Sequence, residues 1–215
     1  MALSKNQIKH IHSLELKKNR DAEGAFLAEG PKVVSELLGT FPCALLAATP
    51  AWRSQNPQAR AEEFLEVTEE ELARASLLRT PQQVLAVFRK KEETIDKEII
   101  TRSLCLALDG VQDPGNLGTI IRLADWFGIR HLFCSPDTAD AYGPKAVQAT
   151  MGSLARVSIH TTNLPRLIRE LPAGTPVYGT FLDGENIYNK VLTENGLLIM
   201  GNEGRGIREE VGQLV

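Results

Sequence analysis

Apolar and polar positions along the chain change rhythm several times, and each rhythm predicts an element. Leu3, Ile8, Ile11, Leu14 and Leu16 fall at roughly helical spacing, with Ser4 placed to cap a helix over 3–18. Ala25–Glu29 reads as a short strand, and Gly30-Pro31 opens a helix running through Leu38. Cys43 to Ala48 is apolar enough for a second strand, the Ala/Glu/Arg-rich segment near 57–63 suggests a helix, and 64–67 suggests a strand. Thr68 with Glu71 three residues later is a capping-box pattern for a helix to about Leu77, and Gln83 to Arg89 reads as another strand. These elements make an α/β unit of about ninety residues. The charge run RKKEETIDK, 89–97, reads as an interdomain linker.

The second half alternates apolar runs with helical patterns. Strands are expected at 103–108, 130–134, 155–160, 176–182 and 196–200, and helices at 116–127, 144–151, 163–171 and from about Ile207. Such alternation implies a mainly parallel sheet with helices on both faces, and ligands of such sheets sit at the carboxyl ends of the strands. Two turns stand out there. In LDGVQDPGNLGTIIRLADWF, 108–127, a breaker-rich turn follows a strand, Asn116 sits where an N-cap belongs, and Gly118 and Arg122 lie four apart on the helix. This makes a good anion or nucleotide corner, although an ordinary βα unit with a surface arginine fits the same residues. In the second turn, Gly201-Asn202-Glu203-Gly204-Arg205-Gly206 follows the strand Leu197–Met200 directly. The G-x-G-x-x-G order is absent, which argues against a dinucleotide fold. Glu203 among glycines could accept hydrogen bonds from a cofactor or orient an arginine.

Composition changes this picture little: 43% hydrophobic and 24% charged residues describe an ordinary soluble globular protein. Cys43, Cys105 and Cys134 lie far apart with no metal-ligand spacing, so buried thiols are expected and no metal. With neither a signal peptide nor a membrane-spanning segment in the pattern, the protein reads as cytoplasmic. The net charge of −3 gives no global sign of nucleic acid. Over residues 1–20, however, Lys5, Lys9, Lys17, Lys18 and Arg20 face only Glu15, five positives against one negative. Such an arm suits phosphates, and a solvated helix face would account for it as well.

DPGNLGTIIRLADWFG, followed roughly eighty residues later by LLIMGNEGRGI, resembles motifs one and two of the SpoU/TrmH branch of the SPOUT RNA methyltransferases. NQIKHIHSLELKKNRDAEGAFLAEGPKVVSELL is similar to the substrate-binding domain of that family, and 145–153 resembles its segment between the motifs. The resemblance implies a small α/β RNA-binding domain over 1–96. A SPOUT-type parallel-sheet methyltransferase domain, with a deep trefoil knot, would follow over 97–215. It implies transfer of a methyl group from S-adenosylmethionine to a ribose 2′-hydroxyl of ribosomal or transfer RNA, by a homodimer. Asn116, Arg122 and Glu203 match the family's catalytic positions. Gly201 matches a cofactor contact, Thr180 lies near the cofactor, and Asn202, Gly204 and Gly206 of the second motif are expected to bind the cofactor with them. Lys5, Lys9, Lys17, Lys18 and Arg20 would grip RNA.

The family continues past its second motif with a third, Ser-Leu-Asn-Val-Ser, and this sequence stops at Val215 before it. Either the chain lacks its natural tail, or the protein is a truncated relative; in the second case the knot and cofactor pocket are incomplete, and a non-catalytic RNA-binding relative is the alternative. As to mechanism, a guanidinium stays protonated at neutral pH, so Arg122 suits phosphate binding and alkoxide stabilisation better than proton abstraction.

Overall fold

The computed structural model describes residues 3–91 and 94–215, so the expected linker falls partly outside the described residues. In chain order the first elements are α1 (Lys5–Ser13), α2 (Lys17–Glu23), β1 (Ala25–Glu29), α3 (Pro31–Leu37), β2 (Cys43–Ala48), α4 (Pro50–Gln55), β3 (Glu63–Glu66), α5 (Glu69–Ala75) and β4 (Val84–Arg89). They are followed by α6 (Ile99–Arg102), β5 (Leu104–Asp109), α7 (Pro114–Trp126), β6 (His131–Cys134), α8 (Pro144–Thr150), β7 (Ser158–Thr161), α9 (Leu164–Arg169), β8 (Val177–Gly179), β9 (Gly196–Gly201) and α10 (Glu209–Gly212).

The chain divides into two compact units. The first holds β1 to β4 in the order β1-β4-β2-β3, antiparallel except for the β2–β3 pair. Leu27, Leu45, Ala47, Leu85 and Val87 project from one face of this sheet and pack with Ile11, Leu14 and Leu72 from α1 and α5. The expected helix over 3–18 is broken at residues 14–16. Arg20 Nη1 donates to the Leu14 and Glu15 carbonyls, and Asn19 Nδ2 donates to Ser13 O, so the break has its own polar partners. The helix expected near 57–63 is instead α4, where Thr49 caps and Pro50 occupies the first turn.

Residues Asp140–Ala155, read from the sequence as part of the second domain, belong to the first unit. The physical reasons are local. Arg20 forms two hydrogen bonds to Asp140 Oδ2, at 3.0 and 2.6 Å, and the Tyr142 ring lies 5.0 Å from that of Phe26. Arg20 is 3% exposed. Its assignment to an RNA-gripping arm is therefore corrected: it is a buried structural cation, and Lys5, Lys9, Lys17 and Lys18 remain exposed.

The second unit contains one sheet in the order β7-β6-β5-β9-β8, parallel throughout. Cys105, Ala107, Phe133, Leu197 and Ile199 are buried in its core with Leu164, Leu167 and Val211. The chain runs from β5 outward through β6 to β7, then reappears on the other side as β8 and β9. Strand order reverses between β5 and β9, and in open α/β sheets that reversal leaves a crevice at the carboxyl ends. Asp109 and Gly201, the last residues of the two strands, are paired there.

Candidate active site

The crevice is built from two turns. After β5 the backbone passes Gly110, whose φ of +73° is the left-handed region open to glycine, and whose N–H donates to Ser135 Oγ at 2.9 Å. After β9 the chain closes a tight loop: Asn202 N donates to Gly206 O at 3.0 Å, and Gly206 N to Asn202 O at 2.8 Å. Gly201 has no room for a side chain, because a Cβ there would lie 2.2 Å from the Gly206 carbonyl carbon. Asn202 holds the loop from within. Its Oδ1 accepts from Gly204 N and Arg205 N, and its Nδ2 donates to Gly110 O at 2.8 Å, joining the two turns. The Asn202 side chain thus has a structural task, which leaves the loop's backbone and Glu203 to face a ligand.

Asn116 and Glu203, 87 positions apart, meet at this place: Asn116 Nδ2 donates to Glu203 Oε1 at 2.8 Å. This requires Asn116 to be something other than the N-cap expected from the sequence. The cap is Asp113, whose Oδ1 accepts from Asn116 N at 2.7 Å, and Pro114 starts the helix. With the capping done three residues earlier, the Asn116 side chain is free to cross to the other turn. Arg122 lies six residues further along α7, about 9 Å up the axis at 1.5 Å per residue. It is exposed, and its guanidinium has no hydrogen-bond or ion-pair partner among the described residues. Gly118, four residues before it, is buried in packing rather than open to a ligand. Thr180 follows β8, with its N–H and Oγ1 both donating to Ile199 O, so it sits beside β9 just before the loop.

Three further charged residues, not singled out from the sequence, frame the site. Asp109 is 1% exposed and accepts from Arg208 three times: from its backbone N–H at 2.8 Å, from Nε at 2.8 Å, and from Nη2. Those bonds hold the Arg208 guanidinium more firmly protonated still, and they fasten the far end of the glycine loop to the end of β5. Asp137 approaches the same arginine at 3.5 Å, and a hydrogen bond from Ser135 holds its carboxyl below the usual range. The only sequence signals were an acid ending a strand and an arginine just after a glycine turn.

The donor set fits S-adenosylmethionine. Exposed amides and carbonyls of a glycine loop suit an adenosine, and the carboxylates of Glu203 and Asp137 suit a neighbouring sulfonium cation. Among the described residues no helix is long and apolar enough to cross a membrane.

The SpoU rRNA methylase family model matches residues 103–215, and the MRM3-like substrate-binding domain model matches residues 5–86. The 23S rRNA (guanosine(2553)-2′-O)-methyltransferase RlmP of Bacillus subtilis is 34% identical over 208 residues, which is 95% of this chain and 82% of that protein. A structure from Porphyromonas gingivalis, assigned to the TrmH family of RNA methyltransferases, superposes with a TM-score of 0.91 at 43% identity, covering 100% of this chain and 87% of the other. An AdoMet-bound rRNA methyltransferase from Sinorhizobium meliloti superposes with a TM-score of 0.82 at 32% identity, covering 99% and 84%. The two motif turns, the reversal of strand order between them and these likenesses lead to one conclusion: the chain belongs to the SpoU rRNA methylase family.

Proposed function

We propose that this protein transfers the methyl group of S-adenosylmethionine to a ribose 2′-hydroxyl of ribosomal RNA. The observation that carries this reading is the Asn116–Glu203 hydrogen bond. It ties the helix that bears Arg122 to the glycine loop at the reversal point of the sheet. When bound, the cofactor supplies a methyl group activated by its sulfonium. The chain's own residues then have three tasks.

The first is to hold the RNA. Arg122 extends from α7 without a protein partner, and a planar guanidinium binds a phosphate through two parallel hydrogen bonds. The second is to stabilise charge on the 2′-oxygen as its bond to the methyl carbon forms and the carbon–sulfur bond breaks. A guanidinium held against the RNA by its bound phosphate does this well. The ribose proton leaves to the adjacent phosphate or to water, since an arginine is no acceptor. The third task is orientation. Asn116 gives its amide hydrogen to Glu203, so its carbonyl oxygen is available to accept from a ribose hydroxyl. Asp109, Arg208 and Asn202 keep the loop in place. Thr180, Gly201, Gly204 and Gly206 line the cofactor's side of the crevice, and Lys5, Lys9, Lys17 and Lys18 of the first domain follow RNA phosphates.

A homodimer is part of this reading. Leu123, Trp126 and Phe127 stand 50%, 84% and 72% exposed together at the end of α7, an apolar cluster of the kind that a partner protein covers. Three buried thiols and no disulfide suit the cytoplasm. Mapping ribose methylation in ribosomal RNA from cells with and without the gene tests the activity. One 2′-O-methyl mark should vanish with the gene, and an unchanged map contradicts the reading.

A further inference from the structure

The first unit carries a cavity of its own. Leu27 and Glu29 project from β1 on the face that α1 and α5 cover. Beside them is a cavity of about 410 Å³, lined by Leu27, Glu29, Leu77, Leu78, Lys145 and Gln148 among others. That is within the roughly 300–1,000 Å³ of small-ligand sites. An acid at the floor of an apolar cavity calls for a reason, because a buried carboxylate is costly unless it is paired. Glu29 is 6% exposed, and burial pushes its carboxyl above the ordinary range. It accepts from Ser76 Oγ and from Leu77 N at 3.0 Å. A carboxylate has about four acceptor positions, so about two remain for donors entering the cavity.

The surroundings restrict what those donors belong to. Leu27, Leu77 and Leu78 make apolar walls suited to the faces of a flat ring. Lys145 is an exposed cation at the rim. An apolar slot, an acceptor pair at its base and a cation at its mouth match an unstacked nucleobase with its phosphate outside. Among the four bases, guanine alone offers two adjacent donors, N1–H and N2–H₂, on one edge. We propose that this cavity reads one unpaired guanine of the RNA substrate, with Glu29 accepting from its N1–H and N2–H₂ edge. The inference rests on the reading that the substrate is RNA, and adds a base-specific contact in the first domain.

The test uses the full chain without cofactor, and fluorescein-labelled RNA hexamers read by anisotropy. One hexamer is all uridine; in the others a single central position is guanosine, inosine, adenosine or cytidine. Guanosine should bind at least roughly tenfold tighter than adenosine or cytidine, as expected for a bidentate contact, with inosine between because it lacks the N2 amine. Glu29→Gln places a donor against the guanine donors and should bring the guanosine hexamer down to the all-uridine affinity. Ala149→Leu fills the cavity while leaving the partners of Glu29 in place, and should do the same. Equal binding of all hexamers by the wild-type protein overturns the proposal. So does a guanosine preference that survives either variant. Methyl transfer is assayed in parallel. Transfer without guanosine preference sinks only the base-reading site, and guanosine preference without transfer to any RNA sinks the enzyme reading alone.

Discussion

Arg122 and Arg20 show how little a residue's type says before its surroundings are known. Both are basic residues on helices, and both suggested RNA contact. Arg20 is buried with two carbonyls and a carboxylate around its guanidinium, whereas Arg122 is exposed and unpartnered among the described residues. For Arg122 the fork geometry matters more than the charge, since a lysine keeps the charge but loses the paired donors. Arg122→Lys should lower kcat about 100-fold, in the range for removal of one charge-stabilising donor, while the Kd for S-adenosylmethionine measured by calorimetry changes less than about threefold. Near-normal turnover would remove Arg122 from the chemistry. The sequence identified Asn116 for the site but assigned it the wrong local task. Asp113 and Asn116 are both competent caps, and only the backbone shows which one serves.

At the scale of elements, the strands were the most legible feature. Runs such as Leu104–Leu108 and Leu197–Met200 are buried or partly buried on both faces, as central parallel strands are, and they read as continuous apolar stretches. Short helices were less so. α4 and α6 have too few residues to show a period, and α2 is fixed by the Arg20 side chain rather than by its own pattern. The buried strands also carry the thiols. Burial pushes Cys43 and Cys134 up to about 12 and Cys105 up to about 11, from an ordinary 9.0. A raised folded-state value means that the folded protein holds these protons more tightly than the unfolded chain. The stability this gives is complete below about pH 9 and is lost as pH rises from there toward 12. Between pH 8 and 10, urea unfolding should show the wild-type protein losing about 1 kcal/mol more than Cys134→Ala, one thiol contributing at most about 1.4 kcal/mol per pH unit. Equal losses in the two proteins would mean that Cys134 ionises freely in the fold.

At the scale of the whole molecule, the repeated β-α alternation gave the sheet class, but not the order β7-β6-β5-β9-β8 that puts Asp109 beside Gly201. Strand order depends on which long-range pairings bury most apolar surface, and no local pattern records it. The packing of Asp140–Ala155 with the first unit was hidden for the same reason, because Arg20 and Asp140 are 120 positions apart. What resemblance to a known family supplied, and the physical pattern alone did not, was the joint meaning of two glycine-containing turns far apart in sequence. The Asn116–Glu203 bond is where that meaning becomes geometry. The most direct measurement of the account is methyl transfer by the purified protein, from S-adenosylmethionine carrying a labelled methyl group to ribosomal RNA from cells lacking the gene. After complete alkaline hydrolysis, the account predicts the label in a dinucleotide, because a methylated 2′-oxygen cannot attack the neighbouring phosphate. Label confined to mononucleotides, or no label in RNA at all, would contradict it.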